Sequence, residues 1–139
     1  MAISKFNQEG YPDPTSFEAL TNVADAAKAT AYRPLVYVCS PYAGDTERNS
    51  DAARKYSRFA FDKGNIPITP HLLYPQILDD ENPKERNYAR HINYVLLGFC
   101  QELWVFGTKV TSGMAHEIGI AKKRRMKNRY INELMQEAL

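Results

Sequence analysis

The chain has 139 residues, 44% hydrophobic and 24% charged, with a formal net charge of +2. That is one ordinary globular domain's worth of sequence, able to bury a core without staples. No apolar stretch approaches the length of a membrane-spanning helix, so no membrane partner is expected, and so small a net charge singles out no partner class.

The two cysteines, Cys39 and Cys100, both lie in apolar runs. They read as buried free thiols of a reducing compartment rather than a disulfide framework. The opening residues lack the apolar region of a signal peptide, so a cytoplasmic protein is expected.

Residues 1–14 are polar and proline-bearing, an arm expected to drape on a partner subunit or on the domain surface. Thr15 with Glu18 forms a capping box. The helix it opens runs to about Ala29, with Phe17, Leu20, Val23, Ala24 and Ala27 on one face. Residues 1–34 are therefore an N-terminal arm and helix, ahead of a domain spanning residues 35–139. After Pro34, the continuous apolar run Leu35-Val36-Tyr37-Val38-Cys39 predicts a buried parallel strand. A turn over residues 40–45 leads to a helix from about Asn49 to Lys63, closed by Gly64. Ile66-Pro67-Ile68-Thr69 predicts a second short strand, placed at an edge by its proline. A polar loop over residues 79–83 precedes a helix starting near Pro83, with Tyr88, Ile92, Val95, Leu96 and Phe99 expected inward. The run Leu103-Trp104-Val105-Phe106, closed by Gly107, predicts the third strand. A helix over about 112–123, a weak strand at Arg129-Tyr130-Ile131 and a short last helix over 132–138 complete the order.

Repeated strand–helix units with right-handed crossovers build a small parallel sheet with helices on both faces. In such folds the ligand sits off the carboxyl ends of the strands, at the switch point. That edge gathers residues 40–45, 69–73 and 107–113. The start of the helix at Ser112 and Gly113 presents free backbone N–H groups, a seat for an anion such as phosphate. Glu117 sits one turn inside, at the border of the buried face marked by Met114, Ile118 and Ala121. By pattern alone it is either a surface glutamate of the first turns or a site carboxylate. Tyr37 is equally at home as core filling, and Asp45 as a helix cap.

The basic run Lys122-Lys123-Arg124-Arg125, with Lys127 and Arg129, closes a helix where cations complement the dipole. It lacks the interleaved aromatics of a nucleic-acid face, so nucleic acid is not an expected partner. No Cys/His set has metal-ligand spacing, and there is no GxGxxG or P-loop, so neither metal nor cofactor is expected.

Two segments carry a resemblance. Val36-Tyr37-Val38-Cys39-Ser40-Pro41-Tyr42-Ala43-Gly44 resembles the opening strand and loop of the nucleoside 2-deoxyribosyltransferase-like superfamily. Glu102-Leu103-Trp104-Val105-Phe106-Gly107, followed by Ser112-Gly113-Met114-Ala115-His116-Glu117-Ile118-Gly119, resembles its second half. Within it the chain looks most like a bacterial and phage subgroup, DUF4406-like. The resemblance covers about residues 35–131. It implies a Rossmann-like (flavodoxin-like) three-layer α/β sandwich with a small, mostly parallel four-stranded sheet, here with an N-terminal helical extension. It also implies a homo-oligomer, dimer or higher, and cleavage or transfer at the N-glycosidic bond of deoxynucleosides or their monophosphates. Glu117 matches the family's nucleophile, and Tyr37 the tyrosine that hydrogen-bonds it. Tyr42 matches an aromatic residue near the base. Ser40, Gly44, Ser112 and Gly113 match positions that hold a phosphate. Asp45, His71 and Asn93 complete the expected substrate-binding set. Two departures stand out: Thr111 replaces an aspartate just before the glycine element, and His91 and Asn93 occupy the region of another.

The expected activity is therefore an N-glycosidic bond hydrolase or deoxyribosyltransferase with a glutamate nucleophile. Its chemistry is that of a retaining glycosidase, with His71, His91, Asp45 and Asp80 as candidates to protonate the departing base. The alternatives are a nucleotide-binding module without turnover and a protein-binding inhibitor, such as a phage counter-defence protein.

Overall fold

The computed structural model describes residues 32–138. The N-terminal arm and the helix expected over residues 15–29 lie outside them. Four strands, β1 (Leu35–Cys39), β2 (Ile66–Ile68), β3 (Glu102–Phe106) and β4 (Lys127–Ile131), pair in the order β2-β1-β3-β4, every pairing parallel. Three helices connect them: α1 (Thr46–Asp62), α2 (Pro83–Phe99) and α3 (Ser112–Lys123). Among the described residues no helix is long and apolar enough to cross a membrane.

The period of two in the strands divides the core. Tyr37 and Cys39 of β1 and Leu103 and Val105 of β3 pack with Leu97 of α2 and with Met114, Ile118 and Ala121 of α3. The alternate residues, Val36, Val38, Trp104 and Phe106, pack with Tyr56 and Ala60 of α1 and with Ile131. Tyr56 stacks on Phe106 with ring centroids 4.6 Å apart. Helices therefore cover both faces, and the strands read as unbroken apolar runs because neither face meets water.

Caps set the helix ends. Asp45 accepts a hydrogen bond from Arg48 N, so α1 starts at Thr46, ahead of the expected Asn49. Gly64, at φ +92°, makes the left-handed exit that a side chain resists. Asn82 caps α2 by accepting from Lys84 N and Glu85 N, and Pro83 takes the first helical position. Thr111 Oγ1 accepts from Met114 N to cap α3.

Two expectations are corrected. The inward face of α2 is rotated from the one read off the sequence. Leu97 is buried and Ile92 and Leu96 half-buried, while Tyr88, Val95 and Phe99 are 55%, 41% and 71% exposed. The sheet-facing side carries Glu85, Ala89 and Asn93 in its first turns, because there it borders a cleft rather than the core. Apolar periodicity picked out a neighbouring stripe, which shares Ile92 and Leu96 with the packed side. Residues 132–138 form no helix. Asn132 Oδ1 accepts from Leu134 N and Gln136 N, turning the chain back so that Glu137 bridges antiparallel to Ile131. Arg129 Nε then donates to Glu137 Oε1.

Candidate functional site

Strand β1 points Tyr37 and Cys39 toward α3, and Glu117 leans back to meet them from the second turn of that helix. The Tyr37 hydroxyl donates to Glu117 Oε1 at 3.0 Å, joining residues 80 apart in sequence. The Cys39 thiol donates toward Met114 O at 3.9 Å and also lies within hydrogen-bonding reach of Glu117. Cys39 is a member of the site that sequence reasoning treated only as a buried thiol. Its signal was the period of two, which puts it on the same strand face as Tyr37.

The electrostatics follow from burial. Desolvation raises the Glu117 carboxyl from 4.5 to about 7, and the bonds from Cys39 and Tyr37 pull it part of the way back. Desolvation, reinforced by the Glu117 charge, pushes the Tyr37 phenol and the Cys39 thiol far above their ordinary ranges. Both stay protonated, and the Tyr37 hydroxyl, as donor to Glu117, favours the ionised form that burial disfavours.

Glu117 opens on a cleft of ≈ 290 Å³. Of the expected substrate-binding residues, Ser40, Tyr42, His71, Asn93, Ser112 and Gly113 line it. Ser40 Oγ and His71 Nε2 are 3.0 Å apart, and the Tyr42 ring meets the His71 ring edge-on at 6.1 Å. Burial lowers the His71 imidazole from 6.5 to about 4, so it is neutral at physiological pH. The cleft continues between α2 and α3 as a lobe of ≈ 340 Å³, with Glu117, Asn93, Ser112 and Gly113 on both parts.

Two expected residues are not brought to this cleft. Gly44, at φ +99°, has open space around it. Asp45 caps α1 and lines a separate cavity on the α1 side of the sheet. Of the proton-donor candidates, His71 and Asp80 line the cleft wall, whereas His91 is exposed on α2 away from it. Thr111 is engaged as the cap of α3.

The structure also adds cations. Arg86 and Arg90, one turn apart on α2, line the cleft. Arg86 Nε donates to Asp80 O at 2.9 Å, tying the polar loop to the helix. Arg90 reaches both lobes. Nothing in the local sequence marks these arginines, because a charged residue lining a cleft and one facing solvent read alike until the helix is oriented.

The arrangement holds a carboxylate, fixed by the Tyr37 hydroxyl with the Cys39 thiol beside it, against a cavity bordered by a helix N-terminus, two arginines and an aromatic pair. That can attack an electrophilic carbon or stabilise a developing cation, while the helix start and Arg90 hold an anion.

Comparison with solved structures finds the same fold in a 2-deoxyribosyltransferase from the psychrotolerant bacterium Bacillus psychrosaccharolyticus. The TM-score is 0.60 at 13% sequence identity, over 70% of this chain and 72% of that one. The likeness shows a shared nucleoside deoxyribosyltransferase-like, Rossmann-type α/β fold. No curated protein matches the sequence. The matching family profile does not carry the finer resemblance to a DUF4406-like subgroup: it is described as Domain of unknown function (DUF7768) and spans residues 34–131. As that match covers more than half of the chain, the protein belongs to the DUF7768 family.

Proposed function

We propose that the chain cleaves the N-glycosidic bond of a nucleoside or nucleoside monophosphate, by hydrolysis or deoxyribosyl transfer, with Glu117 as nucleophile. The observation that carries this reading is the 3.0 Å bond from the buried Tyr37 phenol to a carboxylate that faces an open cleft. A glutamate held this way, by a phenol that stays protonated, is positioned for attack rather than for surface solvation. A Glu117 oxygen forms a bond to the anomeric carbon as the bond to the base nitrogen breaks. The electron pair leaves with the base, which takes a proton from water in the open cleft. Water, or a second base, then displaces Glu117 from the sugar and restores its carboxylate.

The substrate fits in a stated orientation. Tyr42 and His71 form an aromatic wall for the base, and Ser112 and Gly113 offer α3 N–H groups to a 5′-phosphate, with Arg90 across the cleft. The test is base release from a panel of deoxynucleosides and monophosphates, followed by chromatography. Release by the wild type and its loss in Glu117→Ala supports the reading, and equal inertness of both across the panel refutes it.

A second reading, a binding module without turnover, is favoured by one observation. Thr111 spends its hydroxyl on the α3 cap and Asn93 lines the cleft, where the resembling transferases carry aspartates. Tight nucleotide binding with the ligand recovered intact would select it. Homo-oligomerisation, also proposed, has a candidate face in the exposed stripe Tyr88, Val95 and Phe99 of α2.

A further inference from the structure

The cleft at Glu117 does not end at the β1–α1 loop. Ala43 and Thr111 line it, and both also line a second cavity of ≈ 910 Å³ on the α1 side of the sheet edge. The two cavities therefore meet over the carboxyl ends of β1 and β3. Those are the neighbouring strands between which the sheet order β2-β1-β3-β4 changes direction, the place where open α/β sheets form their ligand crevice. They adjoin at Ala43 and Thr111, which line both.

The walls of the second cavity carry three cations: Arg48 and Lys55, two turns apart on α1, and Lys109 from the β3–α3 loop. Among the described residues, none of the three is in an ion pair. The acidic groups on the same walls are engaged. Asp45 accepts from Arg48 N, Asp51 pairs with Arg54, and Glu133 accepts from Thr108 Oγ1 at 3.0 Å. Arg54 offsets Asp51, so the three cations face two carboxylates, Asp45 and Glu133, which are held by neutral donors, and the walls keep a small positive excess for an anion. The border at Ala43 and Thr111 is suited to passage. Ala43 is small, and the Thr111 hydroxyl is already bound to Met114 N.

The volumes agree. Small-molecule sites span about 300–1,000 Å³, and the ≈ 290 Å³ cleft with its ≈ 340 Å³ lobe beside Glu117 has room for a nucleoside monophosphate. The ≈ 910 Å³ beyond that border is room that a nucleoside or its monophosphate leaves empty.

We infer that the α1-side cavity is a polyphosphate subsite, and that the preferred ligand of the crevice is a nucleoside di- or triphosphate. Its first phosphate sits at the start of α3, and the remaining phosphates cross Ala43 and Thr111 to Arg48, Lys55 and Lys109. The inference rests on the Glu117 cleft being a nucleotide site.

Titration calorimetry on Glu117→Gln, which removes the nucleophile, tests it with the mono-, di- and triphosphates of deoxyadenosine, deoxycytidine, deoxyguanosine and thymidine. The triphosphate of the preferred base is expected to bind about tenfold or more tightly than its monophosphate, the size of one charge-assisted contact. Adding Lys55→Ala and Lys109→Ala should remove that gain and leave monophosphate affinity unchanged. Both lysines are exposed, so the substitutions leave the core intact. Equal affinity for mono- and triphosphate, or equal weakening of both by the lysine substitutions, overturns the subsite. Base release from the monophosphate by wild type, without any triphosphate preference, would sink this inference and leave Glu117 catalysis standing. Lysine-dependent triphosphate binding without base release would do the reverse.

Discussion

Replacing Glu117 by glutamine should stabilise the protein at alkaline pH and leave it nearly unchanged at acid pH. Burial against β1 raises this carboxyl from 4.5 to about 7, despite the bonds from Cys39 and Tyr37. A carboxyl raised in the fold binds its proton more tightly there than in the unfolded chain. Its contribution to stability is then complete below pH 4.5 and is lost as pH rises through about 7. At about 1.4 kcal/mol per pH unit, the full loss is at most about 3.5 kcal/mol. His71 runs the other way. Its folded value, lowered to about 4, makes the fold gain stability as pH rises from there toward 6.5. The two titrations offset each other in the wild type, so its own stability profile hides both. The difference between Glu117→Gln and wild type cancels His71 and isolates the carboxyl. Glutamine is uncharged throughout and still accepts from the Tyr37 phenol. Urea unfolding at pH 4 and pH 8 measures this difference. It should grow from near zero to about 3 kcal/mol in favour of the variant. A difference of the same size at both pH values would show that Glu117 is not a buried, proton-binding carboxyl, and the site argument would fall with it.

Tyr37→Phe keeps the buried ring and removes the donor that favours the Glu117 carboxylate. The rise of kcat/KM for base release, expected near pH 7 in the wild type, should move to higher pH in this variant, as a pH–rate profile would record. Thr111→Ala removes the cap on Met114 N and should cost about 1 kcal/mol by chemical denaturation. Trp104→Ala empties a fully buried position between β1, β4 and α1 and should cost about 3–5 kcal/mol, seen as a lowered urea midpoint. Phe99→Glu alters a residue 71% exposed on α2 and should leave folding stability within about 0.5 kcal/mol. If the α2 stripe joins copies of the chain, the same variant should shift the mass measured by light scattering toward the monomer.

Local sequence determined where the strands lie along the chain, and the fold set their order in the sheet. Leu35–Cys39 and Glu102–Phe106 are apolar on both faces, and such runs have no stable place except the middle of a covered sheet. Pro67 pointed to an edge, and β2 is one. Turn and cap chemistry at Gly64, Pro83 and Ser112 set the helix limits to within a few residues. The pairing of Tyr37 with Glu117 was legible only through resemblance, since no local signal joins residues 80 apart. Tertiary structure decided the rest. The face of α2 was settled by Leu97 entering the core and by Glu85, Ala89 and Asn93 bordering a cleft, which local hydrophobic periodicity does not register. The same rotation brought Arg90 to the site. The chain after β4 read as a helix, but Asn132 binding its own backbone and Arg129 holding Glu137 made it a turn, because side-chain bonds to nearby backbone compete with the helical ladder. Sequence patterns report which residues shun water; only the packed fold reports which polar residues face the same cavity.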